Sequence, residues 1–450
     1  MMKRVVAVSL ILLLSIFLPV AAGELVVRDG QGRTYPVLGE ADGQVVLRDV
    51  EWQTGRIVFA GYDRTGKMIG FDHMDVSGTE IICPFPVTNE MASVKAFAWE
   101  GLGTMIPLSD AAVIGRNTET SLFDPVICNF LDNKPSAVSF TFDDSIYNAT
   151  LFYNEMFKKY GLCGTAMGVV NNMKNADPVR QEEILNNWRA IFDEGYIDLG
   201  NHSTTHAVRY QADSPDAQTL KMDITDAYDQ LCEWFPNQNP ITFASPWGQY
   251  SADAAAEMAK RHYANRGTGG GNVPVNPTEE QWFRLPSAVA DNSLSVNTLN
   301  QWIDTVIKDK KWLIELWHGT EPEGTTAFTY NMTEKTYDEH LAYAASKKEQ
   351  IWYGTFNEVT QYIRERQNAT AKILWANPSN MAVTLTDTLD DAMFDFPLTL
   401  KVNVPLQWHG AVVTQNGKSE RVSATLEGSR RYVFVNVVPD RGAVVLTKTK

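Results

Sequence analysis

Hydrophobic and polar positions change rhythm twice along the 450-residue chain. From residue 24 to about 124, short runs rich in β-branched and aromatic residues (24–27, 44–50, 56–62, 80–86 and 93–99) are separated by Gly, Asp and Asn turns, with no helical period between them. They predict a small antiparallel domain of sandwich type. From 125 to 367 the texture alternates. An apolar strand over 138–142 meets Asp143 and Asp144, a helix runs to Gly161, and a strand follows over 164–170. A helix over 179–194 then places Ile184, Trp188 and Ile191 on one face, with Gly195 as its stop. Ser214-Pro215 opens a helix towards Phe235. Strands over 196–199, 242–244, 282–285 and 312–317 are interleaved with or followed by helices over 252–261, 296–308 and 333–346. This alternation predicts an α/β section built as a parallel (β/α) barrel, with its chemistry at the carboxyl ends of the strands. From 368 to 450 the text is again purely β. Runs at 371–375, 381–386, 398–404, 411–415, 421–426, 432–437 and 443–447 predict a second sandwich.

Residues 1–22 stand apart. Lys3 and Arg4 precede an apolar run over 5–18, and small residues at Val20 and Ala22 suit cleavage after Ala22, so the segment reads as a secretory signal peptide or, alternatively, as an uncleaved N-terminal anchor. Either way the remainder is expected outside the membrane (secreted, periplasmic or on the cell surface), with no later run of spanning length. The three remaining sections, 23–124, 125–367 and 368–450, are read as separate domains. A hydrophobic content of 44% supplies ample core, and a net charge of −15 disfavours nucleic acid and anionic membrane as partners, because the long-range field repels both. Cys83, Cys128, Cys163 and Cys232 show no C-x-x-C spacing, so they form no metal-thiolate site. In an oxidising compartment they are bridges or buried free thiols, with the pairing open. Trp52 and Trp99 are read as core, with a sugar-stacking platform as the alternative.

Four stretches carry candidate chemistry. Asp143 and Asp144 end a strand, where an acid pair faces a cleft or a cation, or is a solvated junction; neighbouring strand residues point to opposite sides, so the pleat is expected to separate the two carboxyls into different jobs. His202-Ser203-Thr204-Thr205-His206 also follows a strand-like run, and its two imidazoles, four apart on one face of a helical turn, suit a divalent transition metal; Asp144 would complete a facial N,N,O set. Thr242–Ala244 runs into Ser245-Pro246-Trp247-Gly248, a Pro-aromatic-Gly turn. The strand over 313–317 delivers His318 to its carboxyl end. Each of the four stands at the end of a strand in the same section. The Gly-rich run 267–271 has neither the spacing nor the Lys of a phosphate cradle.

In order and spacing these stretches resemble the successive motifs of the polysaccharide deacetylases, carbohydrate esterase family four, over roughly half the chain. The resemblance implies a distorted β/α barrel, with Asp143 as base, Asp144, His202 and His206 as metal ligands, and His318 as acid. It places the Pro246-Trp247 turn, through the Trp247 backbone N–H, at an oxyanion hole. The implied cofactor is a divalent ion, zinc first, with cobalt or nickel as alternatives. The implied partner is an acetylated polysaccharide or oligosaccharide, with N-acetyl groups on a hexosamine polymer placed ahead of O-acetyl groups on xylan. Two positions depart from the family pattern: Ser145 stands where Gly is usual, and Ala244 where many members carry the Arg that orients the acid pair. Arg266, in Asn265-Arg266-Gly267, is a candidate to supply that charge and is grouped with Pro246 and Trp247 at the oxyanion and substrate side. A different class of function, a catalytically impaired carbohydrate-binding or matrix protein, is compatible with the two flanking β sections and the absent motif Arg; the full set of acids and histidines weighs against it.

Overall fold

The structure, a computed structural model, describes residues 24–28, 43–48, 55–63, 67–76, 80–85, 90–99, 112–115, 125–324 and 328–449. The expected signal peptide, Trp52 and the side chain of Cys83 lie outside the described residues. Among the described residues no helix is long and apolar enough to cross a membrane, and Cys128, Cys163 and Cys232 are free thiols.

The centre of the molecule is mixed α/β, a parallel half-barrel. Its eight strands are β1 (Ser136–Phe142), β2 (Gly164–Gly168), β3 (Ile197–Asn201), β4 (Thr242–Ala244), β5 (Ala264–Arg266), β6 (Ala288–Val289), β7 (Trp312–Trp317) and β8 (Ile351–Tyr353). They run in the order β5-β4-β3-β2-β1-β7-β6, with β8 also paired to β1. Strands β5 and β6 are the two ends of this path and do not pair; β5 makes only an isolated bridge, Arg266 to Leu285, ahead of β6, so the wall is open there.

Strand β1 is buried along its whole length, which its alternating sequence alone does not predict. The alternation instead sorts two interiors. Val138, Phe140 and Phe142 join an aromatic layer under the surrounding helices with Tyr153, Phe157, Trp317, Tyr337 and Leu341. Ala137, Ser139 and Thr141 take the alternate positions, and the two hydroxyls are satisfied there: Ser139 Oγ donates to the Gly354 carbonyl at 2.8 Å and Thr141 Oγ1 to the Glu315 carbonyl at 2.7 Å. Asp143, two residues past Thr141, continues this second series.

The parallel register aligns the carboxyl ends. Trp317 is opposite Phe142, Gly168 opposite Asn201, Asn201 opposite Phe243, and Ala244 opposite Arg266. The residues that follow these strands are therefore presented at one edge of the sheet. Helix Phe356–Asn368 packs across β1 to β4. Its first turn is tied down by Thr355 and Glu358 in a reciprocal capping box.

Antiparallel sheets accompany the half-barrel. The seven C-terminal strands expected from the sequence are Thr370–Ala376, Asn380–Thr386, Leu398–Val404, Gly410–Gln415, Lys418–Glu427, Arg430–Val437 and Val444–Lys448. An eighth, Pro125–Ile127, pairs with Leu398–Val404, so the chain enters the half-barrel from this sheet. One hydrophobic cluster joins the two, with Trp312, Trp352, Phe356 and Tyr362 packed with Val383, Leu400 and Val435. In the N-terminal section, Gly55–Tyr62, Met68–Val76, Ser93–Trp99 and Ala112–Gly115 form one sheet, and Glu24–Arg28, Gly43–Arg48 and Glu80–Phe85 another. Strands Met68–Val76 and Ala112–Gly115 are not among the runs read from the sequence. Trp99 is half-buried beside Phe97, with ring centroids 5.7 Å apart.

Two local expectations are corrected. Of the strand expected over 282–285, Trp282 instead ends a short helix, Glu279–Trp282, because Thr278 and Gln281 form a capping box and Trp282 turns into the core; only Leu285 keeps a strand-like contact, its bridge to Arg266. The helix expected from Ser214-Pro215 begins at Ala217, where the Asp216 side chain accepts from Thr219 N; Ser214, at φ 45°, is outside it.

Glu315, on β7, is fully buried against His340, whose Nε2 lies 3.1 and 3.2 Å from its two carboxyl oxygens; Trp317 Nε1 donates to the same carboxyl at 3.0 Å. His340→Leu is expected to cost about 3–5 kcal/mol in urea denaturation, because it leaves Glu315 underpaired in an apolar layer. The double variant Glu315→Leu/His340→Leu is expected to recover part of that loss.

Candidate metal centre and active site

The His202–His206 segment is a loop, not the helical turn expected from its spacing. Ser203 and His206 have φ of 74° and 56°. Local side-chain bonds compete successfully with a helix: Asn201 Oδ1 accepts from Ser203 N and Ser203 Oγ from His206 N, each at 2.9 Å. The loop still brings the two rings together, with centroids 4.7 Å apart. His202 is buried and its Nδ1 lies 2.7 Å from the Ala244 carbonyl. A carbonyl only accepts, so the proton is on Nδ1 and the Nε2 lone pair faces the acids. His202 Nε2 lies 3.4 Å from Asp143 Oδ2 and 3.7 Å from Asp144 Oδ1, and His206 Nε2 lies 3.5 Å from Asp144 Oδ1.

The two acids also depart from the expected arrangement. Strand β1 ends at Phe142, so the pleat does not separate the carboxyls. Asp143 is still tied to the sheet through its N–H to the Trp317 carbonyl at 3.0 Å, and left-handed backbone at Asp144 (φ 72°) and Ser145 (φ 54°) then turns the chain away. Ser145 tolerates this conformation because its hydroxyl is anchored, accepting from Val169 N at 2.8 Å. Asn172 Nδ2 holds the Asp144 carbonyl at 2.9 Å.

Arg266 is fully buried at the end of β5, one strand over from Ala244 and in register with it. Its Nη2 pairs with Asp143 Oδ1, and its Nε donates to Thr141 Oγ1 at 3.0 Å. Asp143 thus holds the guanidinium with one oxygen and turns the other to His202. Burial alone would raise the Asp143 carboxyl, but the Arg266 guanidinium, joined by His202 and His318 whenever those rings are protonated, outweighs it and holds the group below its ordinary range. Burial pushes both the His202 and His318 imidazoles down, favouring the neutral rings. His318 follows β7, and its ring lies beside Tyr330 with centroids 5.3 Å apart; its buried Nδ1 makes no hydrogen bond among the described residues.

The Pro246–Gly248 turn closes the other side. Pro246 is buried, whereas Trp247 is 54% exposed and has φ 59°. The Trp247 indole donates to the His206 carbonyl at 3.2 Å, its ring centroid is 5.2 Å from that of His206, and the Arg209 guanidinium lies 4.8 Å from its centroid. Gly248, at φ 65°, packs so closely on Thr268 that a Cβ there would collide.

Asp144, His202 and His206 place one donor atom each within 4.8 Å of one another, and an N,N,O donor set of two imidazoles and a carboxyl group suits a divalent transition metal. Every site residue expected from the sequence reaches this edge of the sheet. The sequence reading missed the Ala244 carbonyl, Thr141 and Arg209. The first two act through backbone or a second side chain, and Arg209 becomes visible only once Trp247 is placed.

Residues 131–265 match the family model described as polysaccharide deacetylase, a span that includes Asp143, Asp144, His202 and His206 and ends just before Arg266. A gellan lyase from Bacillus sp. is 26% identical over 343 residues, which is 71% of this chain and 13% of that protein. Two solved structures are similar at 16% identity. A family 4 carbohydrate esterase from Streptomyces lividans in complex with acetate has a TM-score of 0.33, covering 48% of this chain and 91% of that one. An acetyl xylan esterase of the same family from Clostridium thermocellum, in complex with a cobalt ion, has a TM-score of 0.34, covering 50% and 89%.

Arg266→Met is expected to lose about 3–5 kcal/mol at pH 7, because it leaves Asp143 as a buried, uncompensated carboxylate. The folded-state pKa of Asp143 is depressed, so its contribution is present above the unfolded value of about 3.9 and lost as pH falls through the folded value. In chemical denaturation the gap between wild type and variant should therefore narrow below the ordinary carboxylate range.

Proposed function

The chain carries a polysaccharide deacetylase domain, and from that premise we propose that it is a metal-dependent hydrolase that removes acetyl groups from a carbohydrate polymer. The observation that carries this reading is the cluster Asp144–His202–His206 set against Asp143, itself oriented by a buried Arg266. Asp144, His202 and His206 would hold the ion, and zinc, cobalt or nickel each fits an N,N,O set of this kind. A bound ion of this class polarises a carbonyl and acidifies water.

The remaining residues divide the proton work. Asp143 Oδ1 is engaged by Arg266, which leaves Oδ2 as the basic oxygen beside His202. Oδ2 takes the proton of the attacking water, and the depressed pKa of Asp143 keeps it ionised for that purpose. The left-handed turn at Trp247 presents that residue's backbone N–H to the developing oxyanion, while the N–H groups of Gly248 and Gln249 close the turn itself. His318 acts in its protonated form, which the charges of Asp143 and Asp144 favour against burial; it donates a ring N–H proton to the departing amine or alcohol, and the proton left on Asp143 then passes to solvent as His318 is reprotonated. Trp247 and Arg209 form the rim over which the polymer passes.

N-acetyl groups on a hexosamine polymer are the first substrate in this reading and O-acetyl groups on xylan the second; gellan joins the comparison because the curated relative acts on it by name. The flanking antiparallel sheets are sandwich-like modules of 23–124 and 368–450 around a deacetylase domain of 125–367, and the mature chain works outside the cell, as the basic and apolar character of residues 1–22 suggests. A non-catalytic carbohydrate-binding role would not require the acid, ligand and guanidinium positions all to be filled and mutually bonded.

Acetate release should be measured on chitooligosaccharides, acetylated xylan and acylated gellan, with the protein metal-stripped and then reloaded. Activity is expected only after reloading, and release by the stripped protein would overturn metal dependence. Asp144→Ala should lose the metal. Asp143→Asn should retain the metal and lose about 100-fold or more in kcat. Equal metal loss in both variants would reverse the division of roles.

A further inference from the structure

Past Asn201 the ligand loop belongs to neither helix nor sheet, so its polar groups must find partners elsewhere. Many of them find one segment, the π-helical turn Lys221–Thr225, set between helices Ala217–Leu220 and Asp226–Trp234. Three successive carbonyls of that turn accept from the loop. Met222 O accepts from Thr204 Oγ1 at 2.7 Å, Asp223 O from Thr204 N at 3.0 Å, and Ile224 O from Asn201 Nδ2 at 3.0 Å. A π turn interrupts the regular helical ladder and is rare in helices generally, which makes three consecutive external partners there a specific arrangement.

The side chain of Asp223 completes the grip. It is fully buried, and both of its oxygens face the same loop and its continuation. Oδ1 accepts from Thr205 N and Thr205 Oγ1, each at 3.0 Å, and Oδ2 accepts from the buried Tyr210 hydroxyl at 3.1 Å. Thr204 and Thr205 lie between the two histidines. Holding their backbone therefore sets the spacing of the His202 and His206 rings, and with it the direction in which both Nε2 atoms meet Asp144.

We propose that Asp223 is a positioning residue for the metal ligands, acting through Thr205 and the π turn to hold His202 and His206 in their mutual geometry. The inference rests on the reading of Asp144, His202 and His206 as ligands. A purely structural Asp223 would contribute to stability alone. A positioning Asp223 also tunes affinity for the ion, since partners beyond the ligands themselves commonly contribute about 10–100-fold. Glu257 is the internal control. It is buried on the neighbouring helix Ala252–Met258, and among the described residues its carboxyl accepts from Thr225 at the end of the same turn and from Lys260, not from the ligand loop.

The test is calorimetric titration of the metal-free full chain with Co2+ and with Zn2+, alongside urea denaturation of the same metal-free samples and the visible spectrum of the cobalt form. Wild type is expected to bind one ion. Asp223→Ala should bind it about 10–100-fold more weakly and shift the cobalt spectrum. Asp223→Asn, which keeps an acceptor for Thr205, should stay within a few-fold of wild type. Glu257→Ala should lower stability without moving affinity or spectrum. Wild-type affinity in Asp223→Ala, or an equal affinity loss in Glu257→Ala at an equal loss of stability, would overturn the assignment. Failure of wild type to bind either ion would instead overturn the ligand reading on which it rests.

Discussion

A guanidinium and a carboxylate buried side by side are the constraint on which the site depends. Neither Arg266 nor Asp143 has appreciable contact with solvent, so each compensates the other's lost hydration and neither is expendable alone. The pair reaches from β5 to the end of β1, and the Nε–Thr141–Glu315 carbonyl chain extends it to β7. A half-barrel open between β5 and β6 is thus crosslinked through its interior by polar groups. The same contact engages one oxygen of Asp143 and leaves the other facing His202, so a structural tie also decides which carboxyl oxygen is turned toward the histidines.

The second organising feature is register. Parallel strands paired so that Phe142, Asn201, Ala244, Arg266 and Trp317 align with their neighbours present their following residues at one edge. Each of those residues then needs a backbone that leaves the sheet sharply. Asp144, Ser145, Ser203, His206 and Trp247 all do so with positive φ, and five non-glycine residues in that region cost local free energy that surrounding bonds must offset. Asn172 on the Asp144 carbonyl, Val169 on Ser145, and the Ala244 carbonyl on His202 are those bonds. Helix Phe356–Asn368 and the cluster shared with the C-terminal sheet stiffen the scaffold behind them.

The sequence by itself determined the alternation of strands and helices, the seven C-terminal strands, and the residue types of the candidate metal site, because side-chain period and strand ends are local properties. It also pointed to Arg266 as a replacement for the charge that Ala244 lacks, but only the tertiary structure decided that this guanidinium reaches Asp143, since the contact depends on β4–β5 register. The helical turn expected for His202–His206 and the pleat expected to separate Asp143 from Asp144 both failed for one reason. Spacing in sequence predicts proximity in regular structure, whereas these residues sit where regular structure ends and side-chain bonds from distant segments set the backbone. The strand expected over 282–285 was cut back to the single bridge at Leu285 by a capping box, a local competitor. The open barrel wall, the entry of the chain through the C-terminal sheet and the support given by Asp223, 18 residues beyond Thr205, are non-local. They arise from which surfaces bury against which, and that is decided only when the whole chain packs.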